Sequence, residues 1–209
     1  MSAYFDKSYR EILTEARSSS PTPGGGNVSA MVASLGHAMV EMVANLTSGK
    51  EKYAEHQGKV DELLKKSDVI MNRLEELCYE DMQVFDKFMA AIKMPKETDE
   101  DKAVRSAAME AASITATDVP LEIAAVCVMS IALAAELCDY GNKGAISDVG
   151  VGAYIAEAAM MGALLSVDIN LGGIKNEAYV KEATAKKNAL IAQAATYREQ
   201  AIKTVRERM

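Results

Sequence analysis

Tryptophan is absent from the 209-residue chain, proline occurs four times, and aromatic residues make up only 5% of the total. Alternating runs of β-branched and aromatic residues are scarce, which leaves a β-sheet little to be built from. Three cysteines are an odd number, and Cys127 and Cys138 fall in apolar stretches, which argues against a disulfide framework; a reducing cytoplasm suits the chain better. The two histidines stand in separate early segments, and no Cys/His cluster has the spacing of zinc ligands. Basic residues are also short: 23 Lys and Arg face 30 Asp and Glu, for a net charge of −7. A nucleic-acid binder needs the opposite balance. The N-terminal MSAYFDKSYREILTEARSSS has no hydrophobic signal segment. Val28–Leu46, Leu121–Leu137 and Val149–Val167 are apolar, but each carries a Glu and much Ala or Gly. A membrane span prefers roughly 20 strongly apolar residues, so these read as buried helices of a soluble protein.

Ala, Met, Leu, Glu and Lys dominate, a composition suited to helices. The expected first helix runs from Ala3 to Arg17 and ends at the breaker SSSPTPGGG. A second spans Asn27–Thr47. A long third covers Glu51–Ala91, with Gly58 as its weak point. Thr98 or Asp99 can cap a fourth that reaches Tyr140 and that Pro120 should kink or split. GNKGAIS separates it from a helix over Asp148–Leu171, and GGI precedes a polar last helix, Asn176–Glu207. The chain reads as one all-α domain, residues 1–209, a bundle of long antiparallel helices. Small residues recur along two of them (Ser29, Ala33, Gly36; Gly152, Ala156, Ala159, Ala163), permitting close helix approach. So much Ala- and Met-rich apolar helix in a small chain points to a second subunit, most simply in a homodimer.

Within the third helix, Val60, Leu63, Ser67, Ile70, Leu74, Leu77, Asp81, Val84 and Phe88 fall on one stripe. Asp81 is its only charged member. A carboxylate on a core-facing stripe is costly unless it is hydrogen-bonded, paired or turned toward a ligand. Either a structural pairing or a functional site answers to that pattern. In PTPGGGN, the prolines and glycines deliver the chain to a helix N-terminus whose N–H groups suit an anion or a carbonyl, although such a turn is commonly only a turn. No Lys-Ser/Thr follows, so it is not a Walker loop. GNKGAISD reads as a capped loop, Lys50 as a solvated cation able to serve an anionic ligand, and Asn170 as an amide that bonds either a backbone carbonyl or a ligand. His37 reads as a core histidine and the methionines as adaptable packing.

Taken together and in order, PTPGGGNVSAMVASLG, MVANLTSGKEKY, EDMQVFDKFMAAIKMPK, AASITATDVPL and GNKGAISDVGVGAYIAEAAMMGALLSVDINL resemble the cyclodeaminase/cyclohydrolase family of folate one-carbon enzymes. This is the helical C-terminal domain of formiminotransferase-cyclodeaminase, which also occurs as a stand-alone protein. The resemblance implies a homodimeric helical bundle with its active site near the dimer interface and with Asp81, in the DxxxF segment, as the catalytic residue. It also implies substrate contacts from Gly24, Gly25, Gly26, Lys50, Asn142, Asp148 and Asn170, with Phe85 and Asn170 facing the folate rings. No cofactor beyond the tetrahydrofolate substrate and no metal is expected. The implied activity is hydrolysis of 5,10-methenyltetrahydrofolate to 10-formyltetrahydrofolate by carboxylate acid–base catalysis. Release of ammonia from 5-formiminotetrahydrofolate at the same site is the sister possibility, and a non-catalytic folate carrier or scaffold is the third.

Overall fold

A computed structural model of the chain describes residues 4–209, and every regular element among them is helical. The elements are α1 (Tyr9–Ala16), α2 (Gly25–Thr47), α3 (Gln57–Ile92), α4 (Asp99–Leu137), α5 (Ile146–Leu171) and α6 (Glu177–Arg208), with short 3₁₀ turns at Glu51–His56 and Lys143–Ala145. The first helix is shorter than the sequence suggests. Ser8 closes a capping box with Glu11 and so fixes the start at Tyr9, while Ala3 lies outside the described residues. Thr98 caps α4 in the same way, accepting from the Asp101 N–H at 3.0 Å.

Pro120 does not split α4, which runs unbroken for 39 residues. A proline inside a helix leaves the carbonyl four residues earlier without its N–H partner. That carbonyl belongs to Ala116, and the side chain of Asn170 on α5 donates to it at 2.7 Å. A neighbouring helix thus replaces the missing bond.

The long helices run antiparallel in sequence-adjacent pairs, as the cross-links show. Asn27 meets Cys78, and His37 meets Ser67, between α2 and α3. Arg73 meets Glu122 between α3 and α4, and Asp168 meets Lys187 between α5 and α6. The expected small-residue stripes pack α2 onto α5. A Cβ on Gly36 would lie 2.7 Å from Cγ2 of Ile155, and one on Gly152 would lie 2.6 Å from the Gly36 carbonyl oxygen. Only glycine at both positions permits that spacing.

At the centre, His37 is fully buried, with Nδ1 2.8 Å from the Ser130 hydroxyl and Nε2 2.8 Å from that of Ser67. Ser67 in turn donates to Glu41 at 2.8 Å. Because the Ser67 proton goes to Glu41, its oxygen is left to accept from Nε2–H, and Ser130 donates to Nδ1. Burial holds the imidazole neutral, down to a pKa of about 4. Ser67→Ala strands both His37 Nε2 and Glu41. It is expected to cost about 1–3 kcal/mol and to lower Tm by roughly 2–4 °C per kcal/mol. Calorimetry that finds the variant as stable as the parent would remove this network from the forces holding α2, α3 and α4 together.

Candidate active site

The PTPGGGN segment feeds directly into α2, with Gly24 at the N-cap and Gly25, Gly26 and Asn27 in the first turn. The helix therefore starts two residues before Asn27, its expected beginning. Gly24 has no side chain to cap the turn, so Asn27 reaches back and accepts from the Gly24 N–H at 2.9 Å. Its amide nitrogen also donates to the Cys78 carbonyl of α3 at 2.7 Å.

Along α3, the stripe from Val60 to Leu77 is buried as its spacing predicts. At Asp81 it leaves the core and enters a cleft of about 440 Å³. The start of α2 forms one wall and Val84, Phe85 and Phe88 of α3 another. The rest comes from Ser113 and Ala116 of α4 and from Ser166, Ile169 and Asn170 of α5. Asp81 is the only titratable side chain lining it among the described residues. Burial raises its pKa from 3.8 to about 6, and the facing backbone amide of Asn27 opposes that rise. Among the described residues no cation offsets the desolvation, so none of them gives this Asp the structural pairing with a base.

Gly26 explains how the carboxylate gets so close to the helix start. A Cβ there would lie 2.5 Å from Cγ of Asp81 and 2.6 Å from Oδ2. The third glycine of the turn is therefore space surrendered to the acid.

Gly24, Gly25, Gly26, Asp81, Phe85 and Asn170 thus converge on one cleft. Asn170 is there with its Nδ2 already committed to Ala116. Lys50, Asn142 and Asp148 do not join them. Asn142 donates to the Leu46 carbonyl at 2.9 Å, accepts from the Gly144 N–H at 2.9 Å, and its own N–H reaches Thr47 Oγ1 at 2.9 Å. This locks the α4–α5 connection to the C-terminal end of α2. Asp148 is half-buried in the first turn of α5, and Lys50 is exposed just past α2. Since α2 spans Gly25–Thr47, these three stand about 30 Å from Asp81 along the bundle. Ser113, Ser166 and Ile169 line the cleft without having been singled out in the sequence. Ser166 was findable, because it lies four residues before Asn170 on the same helical face.

An all-helical bundle with a cleft that holds a single desolvated carboxylate beside a helix N-terminus, over a mostly apolar bed, has the makings of an acid–base site for a flat ligand. Comparison with known proteins narrows this. A family model described as formiminotransferase-cyclodeaminase matches residues 8–189. A methenyltetrahydrofolate cyclohydrolase of Methylorubrum extorquens is 39% identical over 95% of this chain and 95% of its own length. The formimidoyltransferase-cyclodeaminase of Rattus norvegicus is 30% identical over 91% of this chain, which spans about a third (35%) of that longer protein. In structure, the formiminotetrahydrofolate cyclodeaminase of Thermotoga maritima superposes with a TM-score of 0.88 at 25% identity, covering 98% of each chain. The chain belongs to the formiminotransferase-cyclodeaminase family.

Proposed function

We propose that this protein is a 5,10-methenyltetrahydrofolate cyclohydrolase with Asp81 as its catalytic acid–base. The observation that carries the reading is the lone carboxylate in the cleft, with a pKa near 6 and no neighbouring base. The methenyl bridge is a carbon in a delocalised amidinium cation, and an unpaired carboxylate is its natural counter-charge. Water adds to that carbon and gives a proton to Asp81. Asp81 hands the proton to N5 as the carbon–N5 bond breaks, and the hydroxyl proton leaves as the formyl carbonyl forms on N10. The net reaction consumes one water and releases one proton. A group titrating near the working pH suits both transfers. Phe85 and Phe88 offer apolar faces to the rings, and the turn at Gly24–Gly26 offers backbone amides to a carbonyl or a carboxylate. No metal or further cofactor enters this scheme.

The 39% relative favours cyclohydrolysis over ammonia release, and the cyclodeaminase relatives keep the second reaction in view. In that reaction N10 attacks the formimino carbon and ammonia departs, with the same carboxylate moving the proton. The near-ultraviolet absorbance of the methenyl bridge decides the matter. The protein should hasten its decay well beyond the buffer rate. Ammonia released from 5-formiminotetrahydrofolate without such hastening establishes the sister activity, and folate binding without either leaves a carrier.

A cytoplasmic homodimer is part of the same proposal. α4 and α5 are long and apolar enough to cross a membrane by length and composition alone, and α5 is only 50% buried over that window. Its exposed side is a continuous apolar stripe of Val151, Tyr154, Met161, Leu165 and Ile169, flanked by Val28, Val32 and Leu35 of α2. A second copy would cover it. An isologous contact across a two-fold axis perpendicular to α5 runs the two α5 helices antiparallel. The Asp148 end of one copy then lies beside the cleft of the other, giving Lys50, Asn142 and Asp148 a route to the substrate. Leu165, 70% exposed on this stripe, is the residue to change. Light scattering should find a dimer for the parent and a monomer of unchanged helicity for Leu165→Glu. A monomeric parent would retire the dimer and the route together.

A further inference from the structure

We propose that Asn27 is the positioning residue of this site: its side chain clamps the glycine turn to α3 one turn before Asp81, and so holds the backbone amide of α2 against the carboxylate. The inference rests on the reading of Asp81 as the reacting acid. Asn27 is 1% exposed, unusual for an amide unless its polar atoms are engaged. Both are. Oδ1 accepts from the Gly24 N–H at 2.9 Å, and Nδ2 donates to the Cys78 carbonyl at 2.7 Å across the α2–α3 contact. The Cys78 thiol answers with a 3.7 Å contact to the Asn27 carbonyl. Asp81 follows Cys78 by three positions, so the two stand on the same face of α3 about one turn apart. The clamp therefore fixes the distance between the carboxylate and the helix end that faces it.

A helix has other ways to cap its first turn, and a serine or aspartate serves that purpose alone. Only a side chain with an acceptor and a donor, in the geometry of a primary amide, can take Gly24 and Cys78 at once. Without the clamp the carboxylate keeps its burial but loses the amide that opposes the effect of burial. Its titration should then move upward. Nothing else in the cleft competes for that role, since α2, α3, α4 and α5 bring no other titratable or charged side chain to it among the described residues.

The test uses the neutral variants Asn27→Ala and Asn27→Ser beside the parent, with Asp81→Asn to identify the signal. Carbon-13 labelling of aspartate and an NMR titration read the Asp81 carboxyl directly, with no substrate present. Both variants should move its midpoint upward by about half a unit to one unit. Asn27→Ser retains an acceptor for Gly24 without adding a charge and serves where Asn27→Ala does not fold. Kinetics on 5,10-methenyltetrahydrofolate should show kcat reduced about tenfold or more, KM changed less than about threefold, and the acid limb of the profile displaced by the same half to one unit. An unmoved carboxyl midpoint in the folded variant overturns the proposal, whatever happens to the rate. A moved midpoint with an unmoved rate profile upholds the clamp and instead removes Asp81 from the reaction.

Discussion

Asp81→Asn is expected to lower kcat by about 10²–10⁴-fold, the range that one general acid–base group supplies, while the folded protein becomes more stable. The two effects have one cause. The carboxyl has an ordinary pKa of 3.8 and a folded pKa of about 6, so at pH 7 the fold holds an ion it would rather protonate. Asparagine removes that ion at nearly constant shape and should return about 1–3 kcal/mol at neutral pH. The sign follows from linkage. A carboxyl whose folded pKa is raised makes the parent gain stability as pH falls through 6 toward 3.8.

His37 acts in the opposite sense. Its folded pKa is about 4 against an ordinary 6.5, so the unfolded chain takes up a proton first and stability drops as pH falls through that window. Between pH 6 and 4 the two slopes oppose each other in the parent. In Asp81→Asn only the histidine slope remains, so its advantage in Tm should shrink steadily below pH 6. Calorimetry across that range, together with the decay of methenyl absorbance, checks both halves. A variant that keeps its rate removes Asp81 from the chemistry. One that is less stable than the parent at pH 7 contradicts the desolvation that the cleft imposes.

Gly26→Ala has the second largest expected effect. The added Cβ would fall 2.5 Å from Asp81 Cγ, well inside van der Waals contact, against a group held by a packed helix. The flexible partner is the carboxylate, which has to rotate away from the α2 amides and from the substrate. Activity should fall by about 10²-fold, on the scale of a displacement near 1 Å of a reacting group, whereas helicity should hardly change because alanine favours helix over glycine. Gly25→Ala is the control, since a Cβ there meets only Ser166 Oγ, at 3.7 Å. A Gly26→Ala enzyme as active as Gly25→Ala would show that the carboxylate does not need this proximity. A Gly25→Ala enzyme equally impaired would shift the blame to the backbone of the turn.

Helical class, the order of the long elements and the anomalous acid were legible in the sequence because each is written in local spacing. The stripe from Val60 to Phe88 has a 3.6-residue period, and an Asp in that period stands out whatever the partners are. The matching stretches from Pro21 to Leu171 also told the family. One local expectation gave way to a tertiary contact. Pro120 read as a kink or a split because the rule concerns one helix in isolation; the split does not occur, and Asn170, 50 residues away, supplies the missing donor. Lys50, Asn142 and Asp148, which the resemblance implies as substrate contacts, lie at the other end of the same chain's bundle from Asp81, because α2 and α5 pack antiparallel and the cleft takes the start of one and the end of the other.

The chain alone determined that this would be a helical bundle with a carboxylate where an apolar residue belonged, since periodicity and side-chain chemistry are properties of neighbours in sequence. Only the folded bundle decided that the carboxylate has no base beside it among the described residues, that Gly26 makes room for it, and that Asn27 and Cys78 join the two helices there. Those facts depend on atoms from residues up to 51 positions apart meeting within a few ångströms, and no local pattern encodes a distance between helices.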